Sequence, residues 1–115
     1  MRAHPWLGGP LPNASLAHSS LEKWTHWILA SRGHAEHWQR VFRAEATDQH
    51  TIWIAIARAV QMAPVIEIRD QGQGLVCGVL VVITVRSRTA PVMTSWHYDD
   101  VTRSAPRLVT AYPTL

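Results

Sequence analysis

Seven histidines in a chain of 115 residues are the first sign that this sequence could move protons. An imidazole with a pKa near 6.5 gives or takes a proton close to neutral pH. His37 lies near the start of a predicted helix, where the helix dipole disfavours the imidazolium and so favours a neutral base. His97 lies in an alternating strand and would reach a substrate only if its face of the sheet is open. We predict these two histidines as complementary acid and base; a capping histidine and a buried imidazole are the alternatives.

Arginines and hydroxyl groups could hold an anion near these histidines. A guanidinium offers a planar fork of donors that matches phosphate oxygens, and hydroxyl groups can donate to the same oxygens. The candidates are Arg86 and Arg88 at a turn, Arg107 at the start of the last strand, and Ser95, Thr110 and Tyr112 within strands. Solvated turn charges and ordinary strand formers would have the same composition, so both interpretations stay open.

Strand alternation predicts which of these side chains share a face, because residues two apart point the same way. In the segment 91–98, Met93, Ser95 and His97 point one way, and Thr94, Trp96 and Tyr98 point the other. In the segment 105–113, Arg107 and Val109 are expected opposite Leu108, Thr110 and Tyr112. A sheet surface that carries His, Ser, Arg, Thr and Tyr suits a site that grips an anion and moves protons.

Other chemistries have less support in the sequence. His18, Glu22 and His26 have a helical spacing that can bind a metal, but a solvated helix face explains them more simply. The single Cys77 excludes an internal disulfide framework, and its apolar surroundings predict a buried, inert thiol. Motifs for nucleotide phosphates, dinucleotides, nucleophilic serine and catalytic zinc are absent. The sequence therefore predicts metal-free acid–base chemistry without a cofactor, or binding alone.

The elements that must position these residues divide into a helical half and a stranded half. Residues 1–13 contain three Pro and two adjacent Gly, so they are expected to be a flexible leader before a single domain at 14–115. Helical spacing predicts helices at about 15–31, 34–46 and 48–62, and alternation predicts strands at 65–69, 75–85, 91–98 and 105–113. This order predicts an α+β fold with about three N-terminal helices packed on a four-stranded antiparallel sheet.

Composition limits the partners of such a domain. Hydrophobic residues make up 47% of the chain and charged residues 17%, which favours a folded domain over disorder. The net charge of +3 with neutral histidines favours a polyanion such as nucleic acid, although solubility alone would also explain it. The sequence contains no run of about 18 apolar residues, so no membrane partner is expected.

The order of elements and the closing motif resemble a known group of proteins. The helical half followed by strands ending in Pro-Arg-Leu-Val-Thr-Ala-Tyr-Pro resembles the small C-terminal RNase toxin domains of bacterial polymorphic and contact-dependent toxins, and in particular an uncharacterised family of them. The matching positions are His37 and Phe42 on a helix, Gly72 and Gly74 in a hairpin, Thr94-Ser95-Trp96 on a strand, and Pro106 to Thr110 on the last strand. Trp38 departs from the family, which often has Lys there; Arg40 and Arg43 are the candidate substitutes.

The resemblance implies the barnase/RelE-like fold, whose members cleave RNA without a metal. It predicts a metal-independent endoribonuclease in which the 2′-hydroxyl attacks, so DNA is not an expected substrate. For this chemistry we predict His37, His97, Thr110 and Tyr112 as the catalytic residues, and Arg86, Arg88, Arg107 and Ser95 as the residues that bind the phosphate. The resemblance also implies an acidic immunity or antitoxin partner, and action in the bacterial cytoplasm after delivery as part of a larger protein.

Two other functions remain open from the sequence. The same fold could serve as a non-enzymatic module that binds RNA or protein, with its histidines and arginines incidental. An ADP-ribosyltransferase toxin would also place Arg and Tyr on strands. It normally needs a catalytic Glu, and the predicted strands offer only Glu67, which makes this the weaker alternative.

Overall fold

A computed structural model describes residues 4–20, 24, 34–70, 74–99 and 104–114. These residues form the helices α1 (Ala35–Phe42) and α2 (Gln49–Ala59) and the strands β1 (Val65–Asp70), β2 (Leu75–Val85), β3 (Arg88–Tyr98) and β4 (Arg107–Pro113). The four strands pair antiparallel in the order β1-β2-β3-β4. The predicted α+β class with a four-stranded antiparallel sheet is confirmed.

The described residues contain two α-helices rather than about three. Of the first predicted helix, residues 21–23 and 25–33 lie outside the described residues. Its described start forms one 3-10 turn, Ala14–Leu16, and then runs beside β4. There the His18 N–H donates to the Pro106 carbonyl at 3.1 Å, and the His18 carbonyl accepts from the Leu108 N–H at 2.9 Å. The helix prediction is wrong at His18, because the outer edge of β4 offers backbone partners that the spacing of side chains does not reveal.

The two observed helices are shorter than their predictions. The first ends at Phe42 because Arg43 adopts a left-handed conformation, with φ 60°, and its N–H returns to the Gln39 carbonyl. Before the second, Glu45 and Asp48 accept hydrogen bonds from each other's backbone N–H groups in a capping box. Among the described residues, no helix is both long and apolar enough to cross a membrane.

One face of the sheet carries the hydrophobic core. The side chains that β2 and β3 direct toward the helices are Leu75, Cys77, Val79, Val81, Ile83 and Val85, with Ala90, Val92, Thr94, Trp96 and Tyr98, and all are buried. Cys77 is buried, as predicted, and this burial raises the pKa of its thiol to about 11. The Trp96 indole N–H donates to the Thr94 hydroxyl at 2.8 Å, and that hydroxyl donates to the Val79 carbonyl at 2.7 Å.

Trp38 anchors α1 to the last strand. Its side chain is fully buried, its ring stacks on Phe42, and its indole N–H donates to the Ala111 carbonyl at 3.2 Å. Because α1 packs against β3 and β4, this bond also sets where the start of α1, and therefore His34, lies relative to β4.

The described part of the expected leader packs against the domain. The Gly8 N–H donates to the Val65 carbonyl at 2.8 Å, Leu11 is buried in the core, and the Tyr98 hydroxyl donates to the Pro12 carbonyl at 2.5 Å. Proline and glycine exclude regular secondary structure in this segment, but they do not prevent Leu11 from reaching apolar surface. Residues 4–13 therefore contribute contacts to the packing of the domain.

We predict that Trp38→Phe destabilises the protein by roughly 1–3 kcal/mol, because the Ala111 carbonyl loses its buried donor and the ring leaves unfilled volume. The matched control is Trp53→Phe, since Trp53 is only half-buried and should lose less. Urea unfolding followed by far-ultraviolet circular dichroism measures both variants. Equal losses in the two variants would contradict the anchoring role of Trp38.

Candidate active site on the open sheet face

The face of the sheet opposite the helices, here called the open face, is organised in rows across the strands. Directly paired residues share a face, so the pairing register defines each row. The first row is Arg69–Val76–His97–Arg107, the second is Glu67–Gly78–Ser95–Thr110, and the third is Leu80–Met93–Tyr112. Successive rows lie two residues apart along a strand, or about 7 Å. Polar groups concentrate in the first two rows, and the third combines two apolar side chains with a tyrosine.

A β-bulge changes the expected arrangement of the last strand. Ser95 pairs with Thr110 but Trp96 pairs with Leu108, so Val109 is the extra residue of β4. Such an extra residue reverses the alternation beyond it. Arg107 therefore lies on the same face as Thr110, whereas strict alternation predicted opposite faces. That prediction is wrong; the predicted alternation of β3 is confirmed.

His97 lies on the open face and not in the core. Its side chain is 15% exposed, and it lines an open depression of about 490 Å³ together with Arg69 and Arg107. Val76, buried between Arg69 and His97 in the first row, also lines the depression. The sequence allowed His97 to lie either on the open face or in the core. The structure has it on the open face, where its imidazole can meet a bound molecule.

One ring nitrogen of His97 has two charged neighbours. Its Nδ1 lies 3.2 Å from Nη2 of Arg107 and 3.2 Å from Oδ1 of Asp99. The other nitrogen, Nε2, lies beside Gly74, where a Cβ atom would stand 3.2 Å away. Gly74 therefore leaves space beside Nε2 that any other residue would narrow.

Sequence reasoning did not single out Arg69 or Asp99. Arg69 joins the first row through β1, and its Nε lies 3.1 Å from a carboxylate oxygen of Glu67, with both side chains about half exposed. Asp99 follows the end of β3 and reaches back to His97. The register between strands brings these residues to His97, and the sequence alone does not contain that register.

The third row ends in a cluster of aromatic rings. The ring of Tyr112 lies 4.9 Å from the ring of His34, which in turn lies 5.9 Å from the ring of His37. Burial, and secondly the charge of nearby His37, lowers the pKa of His34. His34 and not the predicted His37 therefore touches the tyrosine; the spacing of the two histidines in the sequence was the available signal.

The predicted pair of histidines is not brought together at one point. Tyr112 stands two rows from His97, or about 13 Å along the strands, and His37 lies beyond His34. Between these two ends is the second row, in which Ser95 is nearly buried and Thr110 is partly exposed. The two groups of candidate proton-transfer residues thus lie on either side of a row of hydroxyl groups.

The three predicted arginines also do not meet. Arg86 lies in the turn between β2 and β3, where its Nε bonds a carboxylate oxygen of Asp48 at 2.8 Å. This hydrogen bond is the main reason that the pKa of Asp48 is lowered. Arg88 begins β3 and Arg107 pairs with His97 near its end, so the two are about 30 Å apart. One phosphate cannot contact all three, and Arg107 alone of the three lies by His97.

Comparisons of this chain with family models, with curated proteins and with solved structures find no match. The roles of the open-face residues are therefore inferred from their own geometry.

We predict that Gly74→Ala is more damaging than Gly78→Ala. Gly74 has φ +129°, and a Cβ there would lie 2.1 Å from the Tyr98 carbonyl oxygen; the backbone conformation alone costs roughly 1–3 kcal/mol. At Gly78 a Cβ would meet the Met93 methyl at 2.8 Å, which is the movable end of a side chain. Urea unfolding compares the two variants. Equal or reversed losses would contradict the close packing of Gly74 against the end of β3.

A second prediction concerns pH. Because the pKa of His34 is lower in the folded state than its unfolded value of about 6.5, the unfolded chain binds more protons as the pH falls through that value. This group should therefore reduce stability below about pH 6.5, and its contribution should be neutral well above it. His34→Gln should flatten that part of the stability profile. The measurement is urea unfolding at a series of pH values from about 5 to about 8, a range that brackets the imidazole pKa of about 6.5. An unchanged slope would contradict the burial of His34 against Tyr112.

Proposed function

We propose that this protein is a metal-independent endoribonuclease whose active surface is the open face. The observation that carries the proposal is the position of His97. It faces an open depression between two arginines, in the row next to Ser95 and Thr110. An imidazole, fixed cations and hydroxyl donors on one exposed surface are what cleavage of a phosphodiester through its own 2′-hydroxyl requires.

The arrangement of rows suits in-line attack on phosphorus. In this proposal the scissile phosphate lies where the depression meets the second row, so that Arg107 reaches one of its oxygens and the Thr110 hydroxyl, with Ser95 beside it, donates to another. The attacking 2′-oxygen and the leaving 5′-oxygen then point in opposite directions, toward the first and third rows. Each of those rows is about 7 Å from the second, so a side chain from each can meet one of the two oxygens.

The first row supplies the base and the cations. His97 takes the proton of the 2′-hydroxyl, and Arg107, with Arg69 across the depression, steadies the charge that develops on the phosphate. At the third row, Tyr112 donates a proton or a hydrogen bond to the leaving oxygen, and His34 holds its ring. His37, which we predicted as the partner of His97, lies beside His34 near the third row and is a second candidate for protonating the leaving oxygen.

Glu67 offers a different base on the same surface. It belongs to the second row, and its carboxylate is close to Arg69. An ionised carboxylate can also accept the 2′-hydroxyl proton. Variants at both positions therefore distinguish an imidazole base from a carboxylate base.

Several broader statements belong to the same proposal. A four-stranded antiparallel sheet with helices on one face is compatible with the barnase/RelE-like fold, which the resemblance to RNase toxin domains implies. A net charge of +3 favours RNA as substrate and an acidic immunity or antitoxin protein as partner. Action in the bacterial cytoplasm, after delivery by a larger protein, follows from that resemblance alone.

The experiment is incubation of the purified protein with total RNA in EDTA. We expect discrete fragments that end in 2′,3′-cyclic phosphate, and no cleavage of DNA. His97→Gln should slow cleavage by about 10²–10⁴-fold, which is the usual contribution of a positioned acid or base. Glu67→Gln should slow it much less. His50→Gln is the matched control, because His50 is an exposed histidine on α2, on the helical side of the sheet.

Intact RNA from a folded sample would contradict the proposal. If that RNA is nevertheless bound, and if Arg107→Ala weakens binding and reduces its salt dependence, the open face is a binding surface. If Glu67→Gln removes the activity and His97→Gln does not, the carboxylate is the base.

A further inference from the structure

The two neighbours of Nδ1 of His97 require opposite states of that atom. Arg107 and Asp99 both lie 3.2 Å from it. A guanidinium can only donate a hydrogen bond, and an ionised carboxylate can only accept one. In a neutral imidazole, Nδ1 carries either a hydrogen or a lone pair. The two contacts therefore cannot both be hydrogen bonds in one neutral tautomer.

Each neighbour selects a different tautomer. Arg107 stabilises the form in which Nδ1 accepts and the hydrogen is on Nε2, so that Nε2 cannot act as a base. Asp99 stabilises the form with the hydrogen on Nδ1, which leaves a lone pair on Nε2. Nε2 is the nitrogen that lies in the space beside Gly74, so the choice of tautomer decides whether that space faces a donor or an acceptor.

A phosphate group can decide between them. Arg107 is exposed and lines the depression together with Arg69. A phosphate is an anion and can accept two parallel hydrogen bonds from a guanidinium, whereas Nδ1 of a neutral imidazole carries no net charge and can accept one. A phosphate bound in the depression would therefore compete with the imidazole for the guanidinium of Arg107. Once Arg107 binds the phosphate, Asp99 is the remaining hydrogen-bond partner of Nδ1.

We propose that a phosphodiester bound in the depression between Arg69 and Arg107 replaces the hydrogen bond from Arg107 to Nδ1 of His97 by a hydrogen bond from Nδ1 to Asp99. This exchange converts Nε2 of His97 from a hydrogen-bond donor to a proton acceptor. One hydrogen leaves Nε2 to solvent and one arrives on Nδ1 from solvent, so the charge of the imidazole is unchanged. Asp99 is thus a positioning residue. The base role of His97 rests on the proposed endoribonuclease function, but the change of tautomer does not.

With this change of tautomer, His97 could act as a base only while a substrate is bound. Without a phosphate the imidazole is held in the inactive tautomer; with it, the same arginine that binds the phosphate releases the base. Arg107 therefore serves binding and activation in one movement.

The tautomer can be read directly by two-bond hydrogen–nitrogen correlation spectra of protein labelled with nitrogen-15 in histidine. The measurement is made near pH 8, where an imidazole with a pKa of about 6.5 is mostly neutral. Dimethyl phosphate is the probe, and sodium chloride at equal ionic strength is the control. We expect the hydrogen of His97 on Nε2 without probe and on Nδ1 with it.

Variants separate the two neighbours. Arg107→Ala should hold the Nδ1–H tautomer without any phosphate, and Asp99→Ala, which removes the acceptor, should no longer change tautomer when the probe is added. Glu36→Gln, an exposed acidic residue on α1, is the matched control and should behave as the wild type. The same tautomer of His97 at zero and at saturating dimethyl phosphate would overturn the proposal, as would an unaltered response in Asp99→Ala. Because no RNA is cleaved in this experiment, its result is independent of whether the endoribonuclease proposal holds.

Discussion

In the described part of the chain, the two helices and the hydrophobic core cover one face of the sheet, and the rest of the structure depends on this arrangement. Trp38, Phe42, Ile52 and Ile56 from the two helices pack against the inward side chains of β2 and β3, and residues such as Leu11 add to the same core. Antiparallel sheets tolerate one solvated face, and they then divide each strand into inward apolar and outward polar positions. Every residue to which we give a chemical role on the sheet occupies an outward position, next in sequence to residues that hold the fold together.

The segment Thr94-Ser95-Trp96 illustrates this division. Thr94 and Trp96 form a buried hydrogen-bonded chain to the Val79 carbonyl, which fixes β3 against β2. Ser95, between them, faces outward beside Thr110. The strand can therefore hold Ser95 and His97 in position because its alternate residues are locked in the core, and a site built on such a strand needs little reorganisation when a substrate binds.

Strand positions were accessible from the sequence because alternation is a local signal. The predicted 75–85 matches β2, and the predicted 65–69 differs from β1 by one residue. What the sequence could not provide were contacts between distant segments. His18 pairs with β4 instead of continuing a helix, the bulge at Val109 moves Arg107 onto the face of Thr110, and register brings Arg69 and Asp99 to His97. For the same reason the sequence did not show that Arg86 and Arg88 lie far from Arg107. Three arginines of similar chemistry cannot be assigned to one site before the topology is known.

The proposed function requires that the open face, and not the helical side, meets RNA. The direct measurement is a map of backbone amide shifts on addition of an RNA oligonucleotide that carries 2′-O-methyl groups, which binds but cannot undergo attack by its own 2′-hydroxyl. We expect shifts concentrated at Arg69, Ser95, His97, Arg107 and Thr110, with α2 unaffected. Shifts concentrated on α2, or none at saturating oligonucleotide, would contradict it.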